Sequence, residues 1–175
     1  EHGLSDLSLR PLAAALKTSP RTLLYHFHSR EELIAAAINA FRTRHMTMVA
    51  EELQRRPPAN ALDGTRRYWN AYTAKKREAF LRLQFEVWGI ALQHPERFKP
   101  FLDGVSVYYS SMEEGLVAQG VPRELASTLA TQHMATLRGL MLDLLTTGDR
   151  KRIDRAIERM AQDLTDVVEA AARKA

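Results

Sequence analysis

The chain has 175 residues, with 25 Lys and Arg against 21 Asp and Glu, a net charge of +4 that is too mild for a polybasic nucleic-acid coat. Zero cysteines exclude a disulfide framework, a thiolate metal site and a thiol nucleophile, and suit a reducing cytoplasm, where the protein is expected. An apolar share of 45% beside 26% charged residues is that of an ordinary globular chain, no apolar run approaches the roughly eighteen residues of a membrane span, and no signal peptide is expected.

In chain order, Glu1-His2-Gly3 reads as the tail of a helix with Gly3 as its C-terminal cap. Ser8 is placed to cap the next helix, and Pro11 falls in its first turn, where a missing N–H costs nothing. Leu9, Leu12, Ala13 and Leu16 recur at helical spacing and form one apolar face. Lys17 and Thr18 make a turn. Ser19 caps a second short helix, with Pro20 at its favoured first position. Leu23 and Phe27 point inward, leaving Arg21, Thr22, Tyr25 and His26 on the outer side. Ser29 then caps a third helix, whose first turn carries Glu31 and Glu32 to suit the helix dipole. Two short helices across a tight polar turn, followed at once by a longer helix, form the layout of a helix-turn-helix DNA reader.

The same stretch resembles the TetR family of transcriptional regulators. The matching residues are Leu12-Ala13, Thr18-Ser19, Thr22-Leu23, Leu24-Tyr25, His26-Phe27, His28-Ser29 and Arg30. Three departures stand beside the match. Lys17 occupies the turn position where the family has glycine, and at positive φ it would cost roughly 1 kcal/mol. Leu24 takes the usual tyrosine position, with the aromatic one residue later at Tyr25. The family's first helix has no counterpart, which implies a fragment or a chain whose N-terminal helix is absent. The resemblance implies DNA binding as a two-fold dimer, a small-molecule effector site in a second lobe, and dimerisation through the last two helices. Lys17, Thr18, Ser19, Arg21, Thr22, Tyr25, His26 and Arg30 are the candidate DNA-binding residues. Arg21 is the strongest candidate for base contact, because a guanidinium bonds a guanine edge bidentately.

The rest of the chain is punctuated as helices throughout. One helix runs from Arg30 to about Arg55 and stops before Pro57-Pro58. Asn60 or Asp63 caps the next, through Tyr68, Trp69 and Tyr72. Another carries Phe80, Leu83, Val87, Trp88 and Leu92 to His94. Pro100 leads into a helix ending at Gly120, Pro122 opens one ending at Gly148, and Asp149 caps the last. The expected fold is all-α, with a helix-turn-helix domain at 1–45 and a helical effector and dimerisation domain at 46–175, joined rigidly inside the long helix. Charge is balanced over residues 1–54, and the basic excess lies in 55–100.

Two features mark the second lobe. Its middle is rich in aromatic and Met side chains, as are apolar pockets between the helices of a bundle and also plain cores. The candidate ligand-binding residues are Trp69, Tyr72, Phe85, Trp88, Phe101, Tyr108, Met112, His133 and Leu137, with Glu86, Asp103, His133 and Arg138 as orienting polar groups. They suit a mainly apolar or aromatic effector. The second feature is the C-terminal helix, where Ile153, Ile157, Met160, Leu164, Val167 and Ala171 are spaced by fours and threes in a narrow a/d seam. With Leu140 and Leu144 on the preceding helix, and Gly139 permitting close approach, this seam reads as half of a four-helix homodimer interface.

No HExxH, GxSxG or P-loop motif occurs. His26 and His28 straddle a helix end, and Glu31 and Glu32 already serve a first turn, so these four do not read as a metal site. The expectation is therefore a non-enzyme with no cofactor and no metal. It is a regulator, by family default a repressor, released from a palindromic double-stranded operator by its effector. The alternative is a small-molecule sensor or partner-binding protein of the same fold without specific DNA binding.

Overall fold

The computed structural model describes residues 8–173, without the side chains of 45, 46, 49, 50 and 52–54. The expected helix tail at Glu1-His2-Gly3 lies outside the described residues. Among the described residues the fold is all-α, with α1 Leu9–Ala15, α2 Pro20–Phe27, α3 Arg30–Arg55, α4 Ala61–Tyr72, α5 Glu78–Gln93, α6 Lys99–Val117, α7 Arg123–Thr147 and α8 Arg150–Ala172. A three-residue 3-10 turn, Lys75–Arg77, precedes α5. None of these helices is long and apolar enough to cross a membrane.

Local chemistry sets the boundaries. Ser8, Ser19, Asn60 and Asp149 each accept a backbone N–H with the side chain and so start α1, α2, α4 and α8. Ser29 does the same for α3 by accepting from Glu32 N–H at 3.1 Å. At the end of α7 Gly148 adopts a φ of +68° and returns its N–H to the Leu144 carbonyl, a left-handed cap that a side chain would strain.

The chain forms two compact units. One holds residues up to Val49 together with Ala79–Gly104, and the other holds Ala50–Glu78 with Val105 onward. The two units are thus interleaved along the chain, with boundaries at 49/50, 78/79 and 104/105. In the first unit Ala13, Leu23 and Leu33 form a small core that joins α1 and α2 to the start of α3, with Leu9 and Phe27 against it. Ile34, Ala35 and Ile38 of α3 form a second core with Val87 and Ala91 of α5 and with Phe98 and Phe101. That packing is why 79–104 belongs to the first unit.

In the second unit α4 and α7 both pack on α8. Thr65, Trp69 and Tyr72 are the buried face of α4, and Ile153, Ile157, Ala161, Leu164, Thr165 and Val168 that of α8. The buried Thr165 hydroxyl accepts the Leu62 N–H at 2.9 Å and so ties the start of α4 to α8. Arg150 closes the other end. It donates to the Thr73 carbonyl and hydroxyl, to Asn70 Oδ1 and to Asp154, and it lies over the Trp69 ring.

Candidate DNA-reading surface and effector residues

The turn between α1 and α2 is closed by Lys17 N–H to the Ala14 carbonyl at 3.1 Å and Thr18 N–H to the Ala13 carbonyl at 2.9 Å. These bonds hold Lys17 at a φ of +52°. The predicted cost of a lysine at this position therefore applies. Ser19 accepts the Thr22 N–H at 3.1 Å, and its hydroxyl pairs with the Thr22 hydroxyl at 2.8 Å, so both side chains are engaged in the cap. With Leu23 buried, α2 turns Arg21, Thr22, Tyr25 and His26 to solvent. Tyr25 is 80% exposed, far more than a tyrosine serving the core. Its ring meets His26 nearly edge-on, centroids 5.4 Å apart. Leu24, in the family's tyrosine position, is 39% exposed.

At the far end of α2, His28 has a φ of +59°, and Ser29 N–H reaches back to the Phe27 carbonyl at 2.6 Å. Such a three-residue turn with positive φ is rare and strained. Arg30 is half-buried and bonds Glu31 at 3.3 Å, which leaves it less available than the other candidates. A capped α2 with an exposed guanidinium, hydroxyl, phenol and imidazole on its outer side suits a major groove, which admits one helix and is read by such donors and acceptors.

The family model described as "Bacterial regulatory proteins, tetR family" matches residues 1–37, the segment just built. That segment is therefore similar to the amino-terminal part of tetR-family regulators. A crystal structure of a TetR transcriptional regulator from Legionella pneumophila shares its fold, with a TM-score of 0.68 at 17% identity over 91% of this chain and 87% of that one. A comparison with curated protein sequences finds no match.

The nine expected effector residues do not fall in one unit. Phe85, Trp88 and Phe101 lie in the first, where Trp88 and Phe101 belong to the packing around Ile34 and Ile38 and the Phe85 and Trp88 rings stack at 6.4 Å. Trp69, Tyr72, Tyr108, Met112, His133 and Leu137 lie in the second. Several of their polar ends already have partners. Trp69 donates its indole N–H to Asp154 at 2.7 Å, and the Tyr72 and Tyr108 hydroxyls meet at 3.3 Å. The His133 Nε2 lies 3.2 Å from the Thr65 hydroxyl, and burial pushes the imidazole pKa down to about 4, so it is neutral at pH 7. Among the proposed orienting groups, Asp103 is exposed and held by Lys99 at 2.7 Å, and Glu86 is exposed. Arg138 lies over the Tyr109 ring, donates to its hydroxyl, and reaches the Val105 carbonyl at 3.4 Å.

Within the single chain, the residues expected to form a dimer seam differ in exposure. Ile153, Ile157 and Leu164 are 0%, 1% and 7% exposed in the single chain, because α8 spends that face on α4 and α7. Leu140, Leu144, Met160 and Val167 are half-buried. The outer face of α7 instead offers Leu125, Ala135, Gly139 and Leu142, with Leu142 50% exposed and nothing within 4 Å of where a Gly139 Cβ would stand.

Among the described residues, the buried polar side chains that escaped the sequence reading include Arg42 and Gln84. Arg42 is 3% exposed, and Gln84 is 8% exposed with an Oε1 that has no hydrogen-bond partner among the described residues. Their signal is register. Arg42 follows Ile34 and Ile38 at steps of four, and Gln84 sits between Leu81 and Val87, so each polar residue occupies a position on an apolar face.

Proposed function

We propose that this chain is a TetR-like, ligand-responsive dimeric regulator, by default a repressor, which grips a palindromic operator and lets go when a small, mainly apolar or aromatic effector binds. The observation that carries the reading is the outward presentation of Arg21 and Tyr25 on a helix capped at Ser19 and anchored by Leu23. Arg21 reads a guanine edge, and Tyr25 meets a thymine methyl or a phosphate. Lys17, Thr18, His26 and Arg30 contact the backbone, and Ser19 and Thr22 hold the helix end whose free amides face a phosphate. Two copies are needed, because one eight-residue helix covers too few base pairs for useful specificity. The second copy docks on the outer face of α7, with Leu140, Leu144, Met160 and Val167 at its margin. Trp69 and Tyr72 of α4, Tyr108 and Met112 of α6 and Leu137 of α7 supply the effector's apolar surroundings, and His133 with Thr65 supplies a neutral polar contact. The effector acts by preferring one separation of the two reading helices.

Selection of duplexes from random DNA tests the regulator reading. An inverted repeat is expected, and Arg21→Ala should abolish binding to it while the dimer mass stays unchanged. Enrichment of no duplex favours the sensor without specific DNA binding, and undiminished affinity of Arg21→Ala removes that residue from the reading.

A further inference from the structure

We propose that Arg42 is a positioning residue for operator reading: its buried guanidinium fixes how α3, which carries the reading helix, lies against the first turn of α6. The inference rests on the regulator reading above. The reading helix follows α3, because Ala13, Leu23 and Leu33 join α1, α2 and the start of α3 in one core. Three contacts within the first unit then hold α3 to residues 97–104. Glu32 accepts from Arg97 Nε. Arg42 donates from one terminal nitrogen to the Phe101 carbonyl at 3.0 Å, and its guanidinium carbon stands 4.3 Å from the centre of the Phe101 ring. Gly104 lies beneath Asn39, where an added Cβ would collide with the amide oxygen.

The apolar part of this seam, Ile34 and Ile38 with Phe98 and Phe101, is not directional and tolerates a small roll or slide of one helix on the other. A guanidinium bonded to one carbonyl and set over one ring does not. For stability alone Arg42 is a poor choice. Burying a cation is costly, and well-packed apolar residues often replace buried ionic groups without loss. What the arginine adds is a single register between the helix that holds the reading head and the first turn of α6. Register matters for a two-fold reader, since half-site spacing mirrors the separation of its two reading helices.

The test uses the full chain and the duplex that the wild-type protein selects from random DNA, together with versions whose half-sites are moved closer or apart by a base pair. Arg42→Met should keep its melting temperature and dimer mass. It should bind the selected duplex about tenfold or more weakly, the usual scale of coupling between sites, and lose its preference among spacings. Gly104→Ala presses on the same seam and should reproduce the loss, and adding Asn39→Ala should reverse it. Wild-type affinity and spacing preference in Arg42→Met overturn the inference. So does a loss that falls equally on all spacings and on random duplex, which marks a merely structural role. If Arg42→Met does not fold, the Gly104→Ala pair decides, and wild-type spacing preference in Gly104→Ala overturns the inference. If the wild-type chain enriches no duplex, the regulator reading falls and this inference falls with it.

Discussion

The two residues that bracket α2 carry positive φ without being glycine, Lys17 at +52° and His28 at +59°. Each strains its backbone, and Lys17 does so in a position the family fills with glycine. Replacing Lys17 by glycine should therefore raise stability by about 1 kcal/mol in a urea titration. The same change removes an exposed cation beside the reading helix, so operator affinity should fall and its dependence on salt should become shallower. The two measurements are expected to move in opposite directions, which separates strain from charge. At this scale the sequence was most legible. Ser8, Ser19 and Ser29 cap through bonds that span two or three residues, and such bonds depend on little beyond the local chain. Arg42 was not legible, because its partner carbonyl lies 59 positions away.

Helix boundaries follow the capping residues and prolines closely, but what each face packs against does not. The spacing of Ile153, Ile157 and Leu164 declares an apolar face on α8 and is silent about who covers it. α4 covers it, through a buried face that includes Thr65, Trp69 and Tyr72. The same packing buries His133, which sets an acid limit on the fold. Below its ordinary value of 6.5, the unfolded chain takes up a proton that the buried imidazole, with a pKa of about 4, refuses. The unfolded state then binds more protons, and stability falls as pH drops from 6.5 towards 4, by about 3 kcal/mol in all. His133→Gln keeps a partner for Thr65 and does not titrate, so its urea midpoint should stay nearly flat across that window while that of the wild type declines. The carboxylates of Asp63, Glu114 and Asp143, each held below the usual value by its arginine partner, add their own losses at lower pH still. A wild-type midpoint as flat as the variant's would show that the His133 ring reaches water.

For the whole molecule, the expected pair of lobes was legible as a class of fold but not as a division of the chain. Aromatic residues at 85, 88 and 101 read like those at 69, 72 and 108, and only tertiary packing sends them to different units. Sequence spacing cannot make that distinction, because both sets satisfy the same helical period. Assembly is where the proposed dimer face becomes testable. Leu142 is half exposed in the single chain, so Leu142→Arg should cost the monomer little and yet lower the sedimenting mass from dimer to monomer. An unchanged dimer would move the interface elsewhere.

The sequence contains two tryptophans, and the fold places one in each compact unit, Trp88 in the first and Trp69 in the second. Trp69 is 2% exposed and bonded to Asp154 at the contact of α4 with α8. Trp88 is only partly buried and lies against the core around Ile34 and Ile38. Each unit therefore holds its own intrinsic fluorophore. Single Trp→Phe variants turn denaturant melts into two separate optical records, so the cooperativity of the two units can be followed without attaching a dye.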